Sequence, residues 1–204
     1  MANPWGTAMT AVPATLAGSA LVCVGWGLAT ADPAPLALAA SIVYLVPPML
    51  HRLHDRIAPL EPGMYAVVGD DYLPWWGSHQ LQLLFVTFPA LEAALRLVPG
   101  LYSAWLRLWG ARVGRAVYWT PRVQLLDRSL LDIGDGVVFG HEAGASAHVI
   151  TVRKGELKLF VSPITVGAGA MIGARAVLSP GATVTAGARV PAQTVVGVNA
   201  TWTD

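Results

Sequence analysis

The chain has 204 residues, of which 54% are apolar and only 12% charged, and its formal net charge at pH 7 is +1. An average soluble chain carries about 25% charged residues, so much of this protein is expected to face lipid or a tight interior. The balanced charge excludes the broad basic surface of a nucleic-acid-binding protein, and we expect no nucleic-acid partner. The single cysteine, Cys23, excludes an intrachain disulfide and a thiolate metal cluster.

The first segment, 1–50, is predicted to form a transmembrane helical hairpin. Ala8–Ala31 is a run of 24 residues without a charge, and a helix needs about 20 apolar residues to cross a bilayer. Asp32 is the only charged side chain among the first fifty residues, and it opens a proline-containing turn before a second apolar run. A cleaved signal peptide and a pair of buried soluble helices remain open as alternatives.

Two arginines, Arg52 and Arg56, follow the hairpin directly, and no lysine or arginine precedes it. Basic residues next to a membrane span favour the cytoplasmic side. We therefore predict that both ends of the hairpin lie in the cytoplasm, with the protein in the inner (cytoplasmic) membrane and membrane lipid as a partner.

The next segment, 51–111, is predicted to hold interfacial and capping helices. The uncharged run 72–91 contains polar insertions, and its two consecutive tryptophans suit a membrane–water interface. An interfacial helix is favoured there, and a third membrane crossing remains the alternative. Residues 101–111 have apolar side chains at helical spacing up to a glycine, which predicts a helix that caps the following domain.

A six-residue repeat dominates the last segment, 112–204. Aliphatic residues recur in steps of six at Val166, Ile172, Leu178, Val184, Val190 and Val196. Small residues follow each of them by four positions, at Ala170, Ala176, Ala182, Ala188, Thr194 and Ala200. Neither the helical period of 3.6 nor the strand period of 2 would place these positions on one face. A three-sided coil with one hexapeptide per side places every aliphatic side chain inside.

The same pattern begins at Val113 and recurs near Ile133. At about 18 residues per coil, it predicts a mainly β domain of about four coils. Between about 145 and 164 the six-residue pattern stops, which predicts a loop excursion from the wall. Turns that need positive φ are expected at five glycines of the later coils: Gly167, Gly173, Gly181, Gly187 and Gly197.

These repeats resemble the hexapeptide-repeat acyltransferases over about Leu106 to Thr201. The resemblance implies a left-handed parallel β-helix and a homotrimer, with acetyl-CoA or another acyl-CoA as donor in the groove between neighbouring subunits. Nucleotidyltransferases and γ-class carbonic anhydrases share this β-helix. A catalytic zinc site needs three protein ligands. Only His141 and His148 lie in this domain as histidines, and no metal is expected.

His148 is the candidate catalytic base. It follows Ser146-Ala147 where the excursion begins, and in the xenobiotic and sugar acetyltransferases that this segment resembles, the histidine of a comparable excursion is the base. A neutral imidazole can remove a proton from an attacking alcohol or amine at physiological pH. The alternative is an exposed loop histidine without a role.

Two neighbouring residues are candidates for binding the acceptor or orienting a catalytic group. His141 lies inside a repeat, where its side chain is expected to point outward. Glu142 follows it and could orient a histidine across a subunit boundary, as the third group of a relay does. Ordinary surface positions are the alternative for both.

Four residues of the later coils are assigned to acyl-CoA by the resemblance. Gly173 and Ala174 match the family segment whose main chain contacts the pantetheine arm, and Arg175 and Arg189 are candidates for the CoA phosphates. The predicted function is transfer of an acyl group, acetyl above all, to a hydroxyl or amine of a glycan, a lipid-linked molecule or another small acceptor.

Two shorter stretches resemble a membrane-associated branch. Arg107–Gly114 and Gly155–Pro163 are similar to membrane-associated polysaccharide acetyltransferases and to the β-helical domains that end polylysine-type synthetases. The synthetases couple amino acids rather than acyl-CoA. A metal hydratase of the carbonic anhydrase type and a non-catalytic, membrane-tethered trimeric scaffold also stay open as functions.

Overall fold

The computed structural model describes residues 3–204. The chain divides into two compact units, the first made of the residues up to Leu60 together with 69–87, the second of 61–68 and 88–204. The segment 51–111 is therefore shared between the two units.

The first unit is helical. Its four helices are α1, Pro4–Thr30; α2, Pro33–Tyr44; α3, Val46–Ile57; and α4, Pro74–Thr87. By length and composition, α1 and the helical stretch Pro33–Ile57 could each cross a bilayer, with 27 and 25 residues. The second arm consists of two helices of 12 residues each, α2 and α3, and the membrane hairpin over 1–50 stays a prediction.

Side-chain caps start both apolar helices. The Asn3 side chain accepts a hydrogen bond from the backbone N–H of Trp5, and the Asp32 carboxylate accepts one from Ala34, both at 2.9 Å. Prolines stand in the first turn of each helix, where the N–H that proline lacks would have no helical partner. The polar turn predicted from Asp32 onward is therefore short, because its prolines already belong to α2.

Helix α4 covers most of the uncharged run 72–91 and has 14 residues. At 1.5 Å per residue it is shorter than a bilayer core of about 30 Å. Its polar side chains Ser78, Gln80 and Gln82 are buried, and the Ser78 hydroxyl lies 2.9 Å from Nε2 of the buried His51. An interfacial position for this helix stays a prediction.

The second unit begins with strand β1, Gly63–Ala66, followed by helices α5, Ala90–Arg96, and α6, Leu101–Trp109. Helix α6 ends at Gly110, which adopts a left-handed backbone with φ 111°, as the sequence predicted. It packs against the first strand of the repeat domain and buries Trp105 and Trp109. A helix lies where the capping helix was predicted, and β1 adds a strand to the helices expected between 51 and 111.

From Arg112 onward, successive strands of the repeat belong in turn to three parallel sheets, called sheets I, II and III. Sheet I holds β2, Arg112–Val113; β5, Leu131–Ile133; β10, Ile164–Val166; β13, Thr183–Val184; and β16, Thr201–Trp202. Sheet II holds β3, Tyr118–Trp119; β6, Val138–Phe139; β11, Met171–Ile172; and β14, Arg189–Val190. Sheet III holds β4, Gln124–Leu126; β7, Gly144–Ser146; β12, Val177–Leu178; and β15, Val195–Val196.

One passage through the three sheets is called a coil below. In sheet I, the register pairs Arg112, Asp132, Thr165, Thr183 and Thr201 in succession, which defines four coils. The repeating aliphatic residues are all buried, with at most 2% of their surface exposed. Four of the six small residues, from Ala170 to Ala188, are equally buried. The inward orientation predicted from the six-residue repeat is confirmed.

The glycines of the repeat serve two different purposes. Gly181 and Gly187 have φ of 76° and occupy the left-handed turns that were predicted. The prediction of positive φ is wrong for Gly167, Gly173 and Gly197. A Cβ on Gly167 or Gly173 would lie 2.4 Å from a backbone nitrogen of the next coil, so close approach of successive coils excludes a side chain there.

The predicted loop excursion is an antiparallel hairpin. Strands β8, His148–Arg153, and β9, Glu156–Val161, pair with each other, and β1 pairs with the other edge of β9. A two-stranded hairpin alone is marginally stable, and the third strand supplies additional backbone pairing. The excursion therefore leaves the coils as an ordered three-stranded sheet with His148 at its first position.

Candidate active site

His148 contacts a buried carboxylate. Its Nδ1 lies 2.5 Å from Oδ2 of Asp127, and the two side chains are 16% and 2% exposed. A carboxylate can only accept, so we assign the proton to Nδ1, which leaves Nε2 with a lone pair. The Ser146 hydroxyl donates to the backbone carbonyl of His148 at 2.8 Å and fixes the start of β8. The pair therefore has the arrangement of a general base and the group that orients it.

Strand register places Asp127 beside the excursion. Leu126 in β4 pairs with Ser146 in β7, so the residues that follow these strands leave sheet III side by side. Asp127 then adopts a left-handed backbone, φ 55°, and a short 3-10 helix, Arg128–Leu130, leads into β5. Asp127 was not among the predicted site residues. No periodic signal marked it, because its position follows from the pairing of Leu126 with Ser146, which only the structure shows.

Arg128, the residue after Asp127, belongs to a buried network of ion pairs and hydrogen bonds with side chains of α5 and α6. Arg128 donates from Nε to Oε1 of Glu92 at 2.8 Å, and its Nη2 also donates to this oxygen. The other carboxylate oxygen accepts from Arg96 at 2.9 Å and from the hydroxyl of Tyr102 at 2.7 Å. Burial, followed by the charge of Glu92, raises the pKa of Tyr102, which keeps its hydroxyl a donor.

A second polar cluster occupies a different corner, between sheets II and III. Glu142 accepts hydrogen bonds from Arg175 at 2.8 Å and Arg122 at 2.9 Å, and Nε2 of His141 lies 3.4 Å from its carboxylate. Hydrogen bonds from Arg175, and next from Arg122, lower the pKa of Glu142 to about 2. Arg122, Glu142 and Arg175 all have left-handed φ, between 58° and 63°, because they stack at the same corner of successive coils.

Apart from Arg189, the predicted site residues fall into two groups. His148 is joined by Asp127, while His141, Glu142 and Arg175 contact one another at the second corner. Gly173 and Ala174 immediately precede Arg175. Arg189 is exposed in β14 of the following coil, where its backbone N–H donates to Asp204 at 2.8 Å. Across residues 3–204, no three His, Cys, Asp or Glu side chains are placed together to hold a metal ion.

Comparison with known proteins finds similarity among solved acetyltransferase structures. A maltose O-acetyltransferase from Clostridium difficile 630 is 15% identical with a TM-score of 0.41, over 56% of this chain and 78% of that one. A hexapeptide-repeat acetyltransferase from Vibrio cholerae O1 biovar eltor, complexed with acetyl-CoA, is 17% identical with a TM-score of 0.40, over 64% and 90% of the two chains. A galactoside acetyltransferase in complex with coenzyme A is 18% identical with a TM-score of 0.30, over 51% and 72%.

No protein-family model and no curated protein sequence matches the chain. At the identities and TM-scores of the structural matches, the likeness assigns no activity to this chain. Its chemistry has to follow from its own side chains.

Proposed function

We propose that this protein is an acyltransferase that moves an acyl group, acetyl above all, from CoA to a hydroxyl or amine of a small acceptor. The observation that carries the proposal is the contact between Asp127 and His148 at the start of the excursion. A half-buried histidine whose Nδ1 is held by a buried carboxylate presents Nε2 as a base. Acyl transfer from a thioester requires such a base, because an alcohol or ammonium-derived amine must lose a proton as it attacks.

The reaction proceeds in two proton transfers through His148. Nε2 accepts the proton of the acceptor O–H or N–H while the oxygen or nitrogen forms a bond to the thioester carbonyl carbon. The tetrahedral intermediate then collapses with cleavage of the carbon–sulfur bond, and the imidazolium returns its proton to the departing CoA thiolate. Asp127 stabilises the imidazolium between these steps and keeps the ring in one orientation.

We also propose that the three sheets close into a left-handed parallel β-helix and that three copies form a homotrimer. Apolar side chains point outward from the sheets and support a covering partner: Tyr118 and Val195 are more than 60% exposed, and Met171 and Val177 at least 40%. Exposed apolar surface of this kind is typical of an interface. Acyl-CoA would lie in the groove between neighbouring subunits.

The second corner is proposed to bind the donor and the acceptor. Gly173 and Ala174 carry little or no side chain, which lets a pantetheine arm approach the backbone. Arg175, held by Glu142, and Arg189 are proposed to bind the CoA phosphates. His141 is exposed beside Glu142 and is proposed to bind the acceptor.

The segment 1–50 is proposed to anchor the enzyme in the inner membrane as a hairpin, with the catalytic domain in the cytoplasm. Leu21, Val22 and Leu28 of α1 are each about 70% exposed, and such apolar surface favours lipid over water. The position of Arg52 and Arg56 supports the orientation. This location favours a glycan, lipid-linked or other amphiphilic acceptor that reaches the membrane surface.

The proposal is tested with the full chain in detergent, radiolabelled acetyl-CoA and a lipid and glycan extract as acceptor. The wild type is expected to transfer label, and His148→Ala to transfer it about 10²- to 10⁴-fold more slowly, the usual contribution of a general base. Thermal unfolding with and without acetyl-CoA provides a separate readout, because a donor at 100 times its dissociation constant stabilises by about 2.7 kcal/mol. Transfer by His148→Ala at the wild-type rate would contradict the assignment.

A further inference from the structure

Asp127 and Arg128 are consecutive residues whose charged groups contact different partners. The carboxylate of Asp127 contacts the ring of His148, while the guanidinium of Arg128 contacts Glu92 on α5. Asp127 has a left-handed backbone, φ 55°, and the 3-10 helix that follows it begins at Arg128, so a single peptide bond links the two residues. The position of Arg128 therefore constrains the position of the Asp127 carboxylate.

Arg128 is held on all sides. Only 1% of the residue is exposed, and its guanidinium carbon lies 5.7 Å from the ring centroids of both Trp105 and Trp109 on α6. The two hydrogen bonds to one oxygen of Glu92 fix the direction of the guanidinium plane. The guanidinium of Arg128, which lies near two tryptophan rings and donates to a carboxylate, has little freedom to rotate.

Glu92 is the shared acceptor of this buried network. It is 4% exposed, and it accepts hydrogen bonds from Arg96, Tyr102 and Arg128. Taken with Asp127, the cluster has two carboxylates and two guanidinium groups, so its formal charge is balanced. Loss of the Glu92 charge would leave Arg128 buried beside Asp127 without its carboxylate partner. The buried carboxylate nearest to Arg128 in sequence is then that of Asp127, which contacts His148, so Arg128 and His148 would compete for it.

We propose that Glu92 is a positioning residue of the active site: by holding Arg128, it keeps the carboxylate of Asp127 on Nδ1 of His148. This inference rests on the proposed role of His148 as a base. It assigns to α5, which precedes the repeat domain, a part in catalysis beyond capping the first coil.

The test measures the tautomer of His148 in the full chain in detergent, by long-range ¹H–¹⁵N correlation of the histidine rings at a pH where they are neutral. His148→Gln identifies the signal. Wild type is expected to show the Nδ1–H tautomer, and Asp127→Asn to lose it. Glu92→Gln is expected to lose it as well, although Asp127 and His148 are both intact.

Ser103→Ala is the matched control. Ser103 is a buried residue of α6 whose hydroxyl accepts a hydrogen bond from Trp119 at 2.8 Å, so its loss disturbs the same cap without removing a partner of Arg128. Ser103→Ala is expected to keep the Nδ1–H tautomer. If Glu92 had a purely structural role, Glu92→Gln and Ser103→Ala would show the same tautomer of His148.

A second variant covers the case in which Glu92→Gln does not fold. Arg128→Lys keeps the charge but cannot make two hydrogen bonds in one plane. We expect it to shift the tautomer in the same direction and to lower kcat at least tenfold with KM within about twofold, because ground-state binding is untouched. A wild-type tautomer in the folded variants would overturn the positioning role. Absence of acyl transfer in the wild type, with the tautomer pattern as expected, would instead overturn the proposed function.

Discussion

Oδ2 of Asp127 lies 2.5 Å from Nδ1 of His148, although the two residues belong to different coils. The contact forms at the edge of sheet III, where β4 and β7 end beside each other. Asp127 is almost fully buried, and His148 keeps part of its ring accessible to a substrate. In the proposed mechanism, Asp127 orients the ring and His148 reacts.

Replacing Asp127 with asparagine is expected to reduce kcat by about 10²- to 10⁴-fold while the fold is kept. The asparagine amide can donate to Nδ1, which would move the ring proton to Nε2 and remove the base. Steady-state kinetics of acetyl transfer measure the effect. Asp132→Asn, which removes a partly exposed carboxylate paired with Arg112, is the matched control and should retain wild-type kcat. Equal rates for the two variants would contradict the role of Asp127.

The Glu142 cluster is expected to make stability depend on acid pH. The pKa of Glu142 in the folded chain is about 2, below its ordinary value of 4.5, so its contribution is fully present above about pH 4.5 and is lost as pH falls toward 2. Thermal unfolding between pH 2 and pH 7 should show a smaller loss for Glu142→Gln than for the wild type. High salt should reduce the difference, because the cluster is partly exposed. Parallel pH profiles for both proteins would count against the cluster.

Close approach of the coils predicts that Gly167→Ala is severely destabilising. Its Cβ would lie 2.4 Å from the backbone nitrogen of Ala186, and neither backbone can move without breaking the parallel pairing. Gly197→Ala is the control, because a Cβ there meets nothing within 4 Å and the residue has no positive φ. In detergent, we expect Gly197→Ala to fold and melt like the wild type, and Gly167→Ala not to. A normal melting temperature for Gly167→Ala would contradict this packing.

Tyr102→Phe is expected to lower the free energy of unfolding by about 1–2 kcal/mol, because it removes a buried donor to Glu92. Denaturant titration at neutral pH measures the change. Burial raises the pKa of Tyr102, so its contribution is present below about pH 10 and declines as pH rises further, when the unfolded state ionises first. Tyr118→Phe, at an exposed tyrosine, serves as control and should change stability by less than about 0.5 kcal/mol. An unchanged free energy of unfolding for Tyr102→Phe would show that Glu92 does not need the hydrogen bond from this hydroxyl.

The sequence by itself determined the three-sided repeat and the point at which the chain leaves it. A six-residue period is local information, because each hexapeptide directs its aliphatic residue to the same side regardless of distant partners. For that reason the burial from Val166 to Val196 was predicted residue by residue. The resemblance to the acetyltransferases, and not the period, proposed His148, which stands at the first position of β8 in the excursion.

Only the tertiary structure decided which residues meet. Asp127 contacts His148 across one coil, Arg128 contacts Glu92 across 36 positions, and β1, which precedes α5 and α6 in the chain, pairs with β9. These contacts depend on strand register and on how the first coil is capped, and neither leaves a periodic signal in the sequence. The oriented histidine is therefore a property of the stacked coils, whereas the coils themselves are a property of the repeat.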